Sequence, residues 1–253
     1  MATSSQEIIR RTFAPSALVV QIYARKYGST EASVPIGNVL ALTLEHSEDV
    51  QKQPDMTRLG GGVHAEMRRV QEVNLSMTLA DLNVANFARA LMGTVGGTEA
   101  GSVTDEAHTV QRGALLKTAH INPTDPVVKK DGVEVAAEGN WERRAAGIYV
   151  LPEAADLADG DAITVDYSHD AYAQIEALTT KAAELEITFE GLNEADDGKA
   201  CVVELWRVSQ GVASSIALLQ ESGFQTLEVS GAVLLDDTRT GEGISRYWRV
   251  RKV

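Results

Sequence analysis

From Gly37 the chain alternates, with Leu40, Leu42 and Leu44 on one side of an extended segment and Val39, Thr43 and Glu45 on the other. That period predicts a strand with one core face. The next stretch, Ser47 to Gly62, carries Glu48, Asp49, Lys52, Asp55 and Arg58, contains Pro54 and closes on Gly60, Gly61 and Gly62. Its small apolar content predicts a polar loop that stays mobile until something orders it. No Pro or Gly interrupts Val63 to Leu79, and at roughly 3.3 Å per residue a strand over that run would extend about 55 Å. Its outer half is polar on both faces (His64, Glu66, Arg68, Arg69, Gln71), and its inner half alternates through Val73, Leu75, Met77 and Leu79. Such a hairpin outruns its own core, which implies that another chain covers it. A helix follows, with Thr78 as its cap, Asp81 in its first turn, an apolar stripe of Leu79, Leu82, Phe87 and Leu91, and Gly93 as its stop. It is expected to lie across an open sheet face.

Residues 1–36 read as an extended arm holding one strand, Leu18 to Tyr23. After Gly93 a Gly-rich linker leads into short strands separated by turn dipeptides, Asp131-Gly132 and Asp159-Gly160 being the clearest, with Ala162 to Tyr167 and Gly147 to Leu151 the clearest strands. The first pattern resumes at Ala183: Leu185, Ile187 and Phe189 alternate with Glu184, Glu186 and Glu190, and Asp197-Gly198 turns the chain into a strand from Ala200 to Val208. A last hairpin is predicted between Thr226–Leu235 and Ile244–Val250. The organisation is therefore a main domain over 1–98 and 177–253, with about seven strands and one helix, interrupted by a small all-β domain at 99–176.

Composition sharpens this picture mainly by exclusion. The formal charge of −13 argues against ordinary nucleic-acid binding, which needs Lys and Arg to neutralise phosphates. No run approaches the ~20 apolar residues of a membrane helix and Met1 to Arg10 lacks a signal-peptide core, so a soluble chain made in a cytoplasm, without membrane insertion, is expected. Cys201 sits in an apolar strand as a core residue. There is no phosphate-loop Lys after the Gly60–Gly62 run, no His-Glu-x-x-His and no nucleophile elbow. His46, His64, His108, His120 and His169 stand singly, and Asp156, Asp159 and Asp161 suit turns better than a cation loop. No enzyme, metal or cofactor is expected.

The strand opening at Gly37-Asn38, the polar stretch ending on three glycines, the long strand, the helix closing Ala90-Leu91-Met92-Gly93, then Phe189-Glu190-Gly191-Leu192-Asn193 and Val203-Glu204-Leu205-Trp206 resemble the tail tube (major tail) proteins of long-tailed bacteriophages. The resemblance covers roughly 37–93 and 183–253. It implies a β-sandwich or barrel of the tail-tube fold with one flanking helix, related to type VI secretion tube proteins. Six subunits per ring, stacked into a tube through which DNA leaves the virion, are implied with it. Tape measure, tail terminator and baseplate proteins are the implied partners, and the virion tail, assembled in the host cytoplasm, the implied location. In such a tube the segment carrying Glu48, Asp49, Lys52, Asp55, Arg58 and Gly60 to Gly62 would reach an adjacent ring, with Lys52 or Arg58 meeting acidic partners. Glu184, Glu186, Glu190 and Glu204 are the candidates for a negative lumen wall along which DNA slides. About 24 strands spaced ~4.8 Å and tilted about 40° close on a backbone diameter of roughly 48 Å, wide enough for a duplex. The competing expectation is an immunoglobulin-like or carbohydrate-binding module with Trp141 and Tyr149 as an exposed platform.

Overall fold

The structure, a computed structural model, describes residues 4–219 and 221–253. In chain order the elements are α1 (Ser5–Arg10), β1 (Leu18–Lys26), β2 (Val34–Pro35), β3 (Val39–Pro54), β4 (Val63–Leu79), α2 (Val84–Ala90), β5 (Thr94–Thr98), β6 (Gly101–Thr109), β7 (Leu115–Lys117), β8 (Thr124–Lys130) and β9 (Val133–Val135). They continue with β10 (Trp141–Arg144), β11 (Gly147–Val150), β12 (Ala162–His169), β13 (Tyr172–Glu176), β14 (Glu184–Asn193), β15 (Lys199–Gln210), β16 (Leu227–Val233) and β17 (Trp248–Lys252). Two compact units result: Met1–Val95 with Ile175–Val253, and the inserted Gly96–Gln174. Strands β5 and β13 pair with each other where the chain leaves and re-enters the first unit.

The first unit is one eight-stranded sheet in the order β2-β1-β14-β15-β16-β4-β3, with β17 also on β15, and every pairing in it is antiparallel. It is not closed into a barrel. Ile22 and Ala24 of β1 share a single apolar cluster with Leu42 and Leu44 of β3, so the two ends of the sheet serve the same core. An open cleft of about 590 Å³, lined by residues of β1 and β3 and by Phe189, lies at those ends. Alternation explains the layering: Leu185 and Ile187 are buried while Glu184 and Glu186 stand on the opposite face. Leu75, Ile187, Leu205 and Leu227 are wholly enclosed, and each such side chain contributes about 1.5–3 kcal/mol.

Several local expectations change. Ser47–Pro54 is strand, not loop: β3 continues through Glu48, Asp49 and Lys52 against β4, in register Asp49↔Arg69 and Lys52↔Glu66. A polar strand such as the outer half of β4 needs a partner for its backbone groups, and the preceding segment supplies it. Only Asp55–Gly62 is left as the turn. The helix starts later than Thr78, because Thr78 and Leu79 are held in β4 by Glu228 and Leu227. Asn83 is the cap instead, its side chain accepting from the Asn86 amide at 2.9 Å. The arm carries a short helix, α1, closed by a reciprocal Ser4–Glu7 capping box. Finally, the last two strands do not form a hairpin. The long β15 takes β16 along 208–210 and β17 along 201–205.

The inserted unit packs a three-stranded sheet, β10-β11-β7, and a four-stranded sheet, β6-β12-β8-β9, around Val128, Ile148, Val150, Leu157 and Val165. Gly147 makes the first sheet possible. At φ +143 a Cβ there would meet the Leu116 carbonyl oxygen at 2.1 Å.

Candidate functional site: a projecting hairpin and an ion-paired sheet face

Strands β3 and β4 leave the core together. Up to Glu72 every residue of β4 is exposed, and from Val73 inward alternate residues are buried. The ten residues from Val63 to Glu72 give the stem a reach of about 33 Å. Among the described residues no strand lies beside the outer edge of β3. Ion pairs run along the stem: Arg68 with Glu66 at 2.5 Å and Glu48 at 3.3 Å, and Lys52 with Glu66 at 3.7 Å. Exposed pairs of this kind are screened by solvent and contribute little to stability. Their effect is to neutralise the charges that the sequence offered for a partner, Lys52 included.

The turn is compact. The Asp55 amide donates to the Gly62 carbonyl at 2.8 Å, and the Asp55 carboxylate accepts from the amide and hydroxyl of Thr57 at 2.9 and 2.6 Å. Those bonds hold the Asp55 carboxyl below its ordinary pKa. Gly60 and Gly61 turn the chain at φ +95 and +58. Arg58 projects with no side-chain partner among the described residues, next to Met56 and Leu59, which are 85% and 107% exposed. The apolar character of this tip is masked in the sequence by the charges around it.

The four carboxylates expected along a lumen share the outer face of β14 and β15, and three are not free. Arg207 grips Glu184 with two bonds, 2.9 and 2.7 Å, and depresses its pKa. Arg25 donates to Glu186 at 2.7 Å. Glu204 receives Arg249 at 2.7 Å and Arg251 at 3.0 Å. Glu190 alone is exposed, near Tyr23, whose hydroxyl is pushed up first by desolvation and then by its bond to Glu190. The face is thus a mesh of Arg and Glu rather than a bare negative wall. The charge is also unevenly divided: the inserted unit has 14 acidic against 6 basic residues, −8 of the −13, leaving −5 for the first unit.

Residues 20–251 match the model of a family described as "Protein of unknown function UCP028589". The chain belongs to that family. The matched range includes the whole inserted unit. Comparison with curated proteins finds no match.

In this family member the remaining candidates resolve into structural roles. Trp141 is buried, with its indole N–H donating to the Val135 carbonyl at 3.0 Å, and Tyr149 is half-buried beside the Arg144 guanidinium, so the two form no exposed platform. Asp156, Asp159 and Asp161 each have a partner of their own: Asn140 at 2.9 Å, the Arg112 amide at 2.7 Å and Lys130 at 2.5 Å. Two histidines that stand far apart in sequence meet: His120 and His169 stack at 3.8 Å, with the Tyr172 hydroxyl 3.0 Å from the His120 Nδ1. Among the described residues no three His, Cys, Asp or Glu side chains are placed to hold a metal ion.

Proposed function

We propose that the chain is a structural subunit of a long-tailed bacteriophage tail tube, with the tail-tube fold in its first unit and no catalytic role. Subunits of this kind assemble as hexameric rings that stack around a DNA-conducting lumen, in the company of tape measure, terminator and baseplate proteins. The observation that supports this reading is the β3–β4 hairpin: about 33 Å of paired strand with both faces exposed and one edge bare. A monomer that kept such an edge would risk indiscriminate pairing, and closure into a ring removes it. In that setting the Glu184–Arg207 and Glu204–Arg249 mesh gives DNA a wall of compensated charge, and Glu190, bonded to the Tyr23 hydroxyl, is its one carboxylate without a cation partner among the described residues. Such a wall offers phosphates few free cations to bind.

Negative-stain microscopy of the concentrated protein tests the proposal. Rings or tubes about 100 Å wide are expected, a strand wall roughly 48 Å across with the rest of each subunit outside it. Discrete monomers at millimolar concentration would overturn it.

A further inference from the structure

The two most exposed apolar groups of the first unit lie on different segments. One is the hairpin tip, with Met56 and Leu59. The other is the loop from Gly211 to Thr226, where Leu218, Leu219 and Phe224 are 82%, 91% and 93% exposed. The described residues of this loop are tied to the rest of the unit. Its Ala213 and Ile216 pack on the core, the Ala213 amide donates to the Ala90 carbonyl at 2.8 Å, and the Gln225 side chain donates to the Leu218 carbonyl at 2.7 Å. Leu218 and Phe224 nevertheless face solvent, which the hydrophobic effect disfavours. Within one chain the tip and the loop leave each other uncovered.

We infer that the tip of one copy docks on the 211–226 loop of a second copy, so that Met56 and Leu59 cover Leu218, Leu219 and Phe224. Charge complementarity selects a second copy as the occupant. Arg58 is the tip's unpaired cation and Glu221 is the loop's only ionised side chain, and neither has a side-chain partner among the described residues. The stem is paired along its length and cannot fold back on its own loop, and because tip and loop are different surfaces, repeating the contact head-to-tail generates rings or filaments. The inference rests on the self-assembly proposed above and names its contact. It also makes that contact apolar, with Arg58 as its one charged member and Lys52 excluded.

The test uses the full chain. Leu59→Ser and Phe224→Ser should each raise the concentration needed for assembly at least about tenfold, some 1.4 kcal/mol, while the thermal midpoint stays unchanged because both side chains are exposed. Mixing Leu59→Cys chains with Leu219→Cys chains under mild oxidation should give a cross-linked pair that neither gives alone, Cys201 being buried. Assemblies that form normally in both serine variants, with no cross-link in the mixture, would sink this inference and leave the tube reading standing. A wild-type chain that stays monomeric overturns both. Binding of wild-type monomers to phosphatidylcholine–phosphatidylglycerol vesicles, lost in Leu59→Ser and without the cross-link, would assign the tip to lipid and overturn the docking.

Discussion

Replacing residues 49–69 by an Asn-Gly turn removes the projecting hairpin at the Glu48↔Val70 pair and leaves the core strands in place. Of the residues removed none is buried and all but Asp55 are exposed, so no core surface is lost. Exposed residues that make no buried contact contribute little to the stability of the folded unit. The monomer's stability should therefore change by about 1 kcal/mol or less, which for a unit of this size moves the thermal midpoint by about 2–4 °C. Leu75→Ala, at the root of the same strand and 2% exposed, should instead cost about 2–5 kcal/mol. Differential scanning calorimetry of both variants at a concentration below assembly separates the cases, and sedimentation at high concentration reads polymer formation. The hairpin-deleted chain should melt like the wild type and fail to polymerise. Normal polymers, or a drop in midpoint comparable to that of Leu75→Ala, would refute the assignment of the hairpin to contacts between copies.

In the inserted unit, Tyr167 is buried, its hydroxyl bonded to Glu106 at 2.6 Å, and desolvation followed by that bond pushes its pKa up to about 12. The neutral phenol is thus favoured by the fold, so its contribution is full below pH 10 and is lost as pH rises towards 12. Ultraviolet titration should show three of the six tyrosines ionising late, Tyr167 last after Tyr23 and Tyr27, and Glu106→Gln should bring Tyr167 earlier. At the other extreme, bonds from Arg11 and then Lys199 lower the Asp196 carboxyl to about 2. Its contribution is present above the ordinary value near 3.8 and fades as pH falls towards 2. Arg11→Ala should narrow the stability difference between pH 5 and pH 2 in chemical denaturation. Replacing residues 99–171 by a short Gly-Ser linker should leave the first unit folded and able to assemble, since each unit has its own apolar cluster. A molten remainder by near-ultraviolet circular dichroism would show that the inserted unit supports the other.

The features that were legible in the sequence depend on near neighbours. Strand β4 was readable to its ends from an uninterrupted run and a returning alternation. The Asp197-Gly198 turn was readable from its dipeptide, and the buried state of Cys201 from its apolar neighbours. The Ser4–Glu7 capping box is equally visible as a spacing. What needed the tertiary structure was which segment faces which. Polar Ser47–Pro54 becomes strand only because β4 lies beside it, and Thr78 is strand only because β16 arrives from about 150 residues later in the chain. The acidic residues of β14 and β15 read as free charge in the sequence, whereas β1 and β15 bring Arg25 and Arg207 to Glu186 and Glu184, and β17 brings Arg249 to Glu204. Likewise, exposure at Leu59 and Phe224 follows from where each backbone stops being covered, which hydropathy does not encode. Period and turn chemistry act over a few residues and are written in the chain, whereas pairing partners, charge compensation and uncovered apolar surface arise from contacts between distant segments and exist only once the sheet has formed.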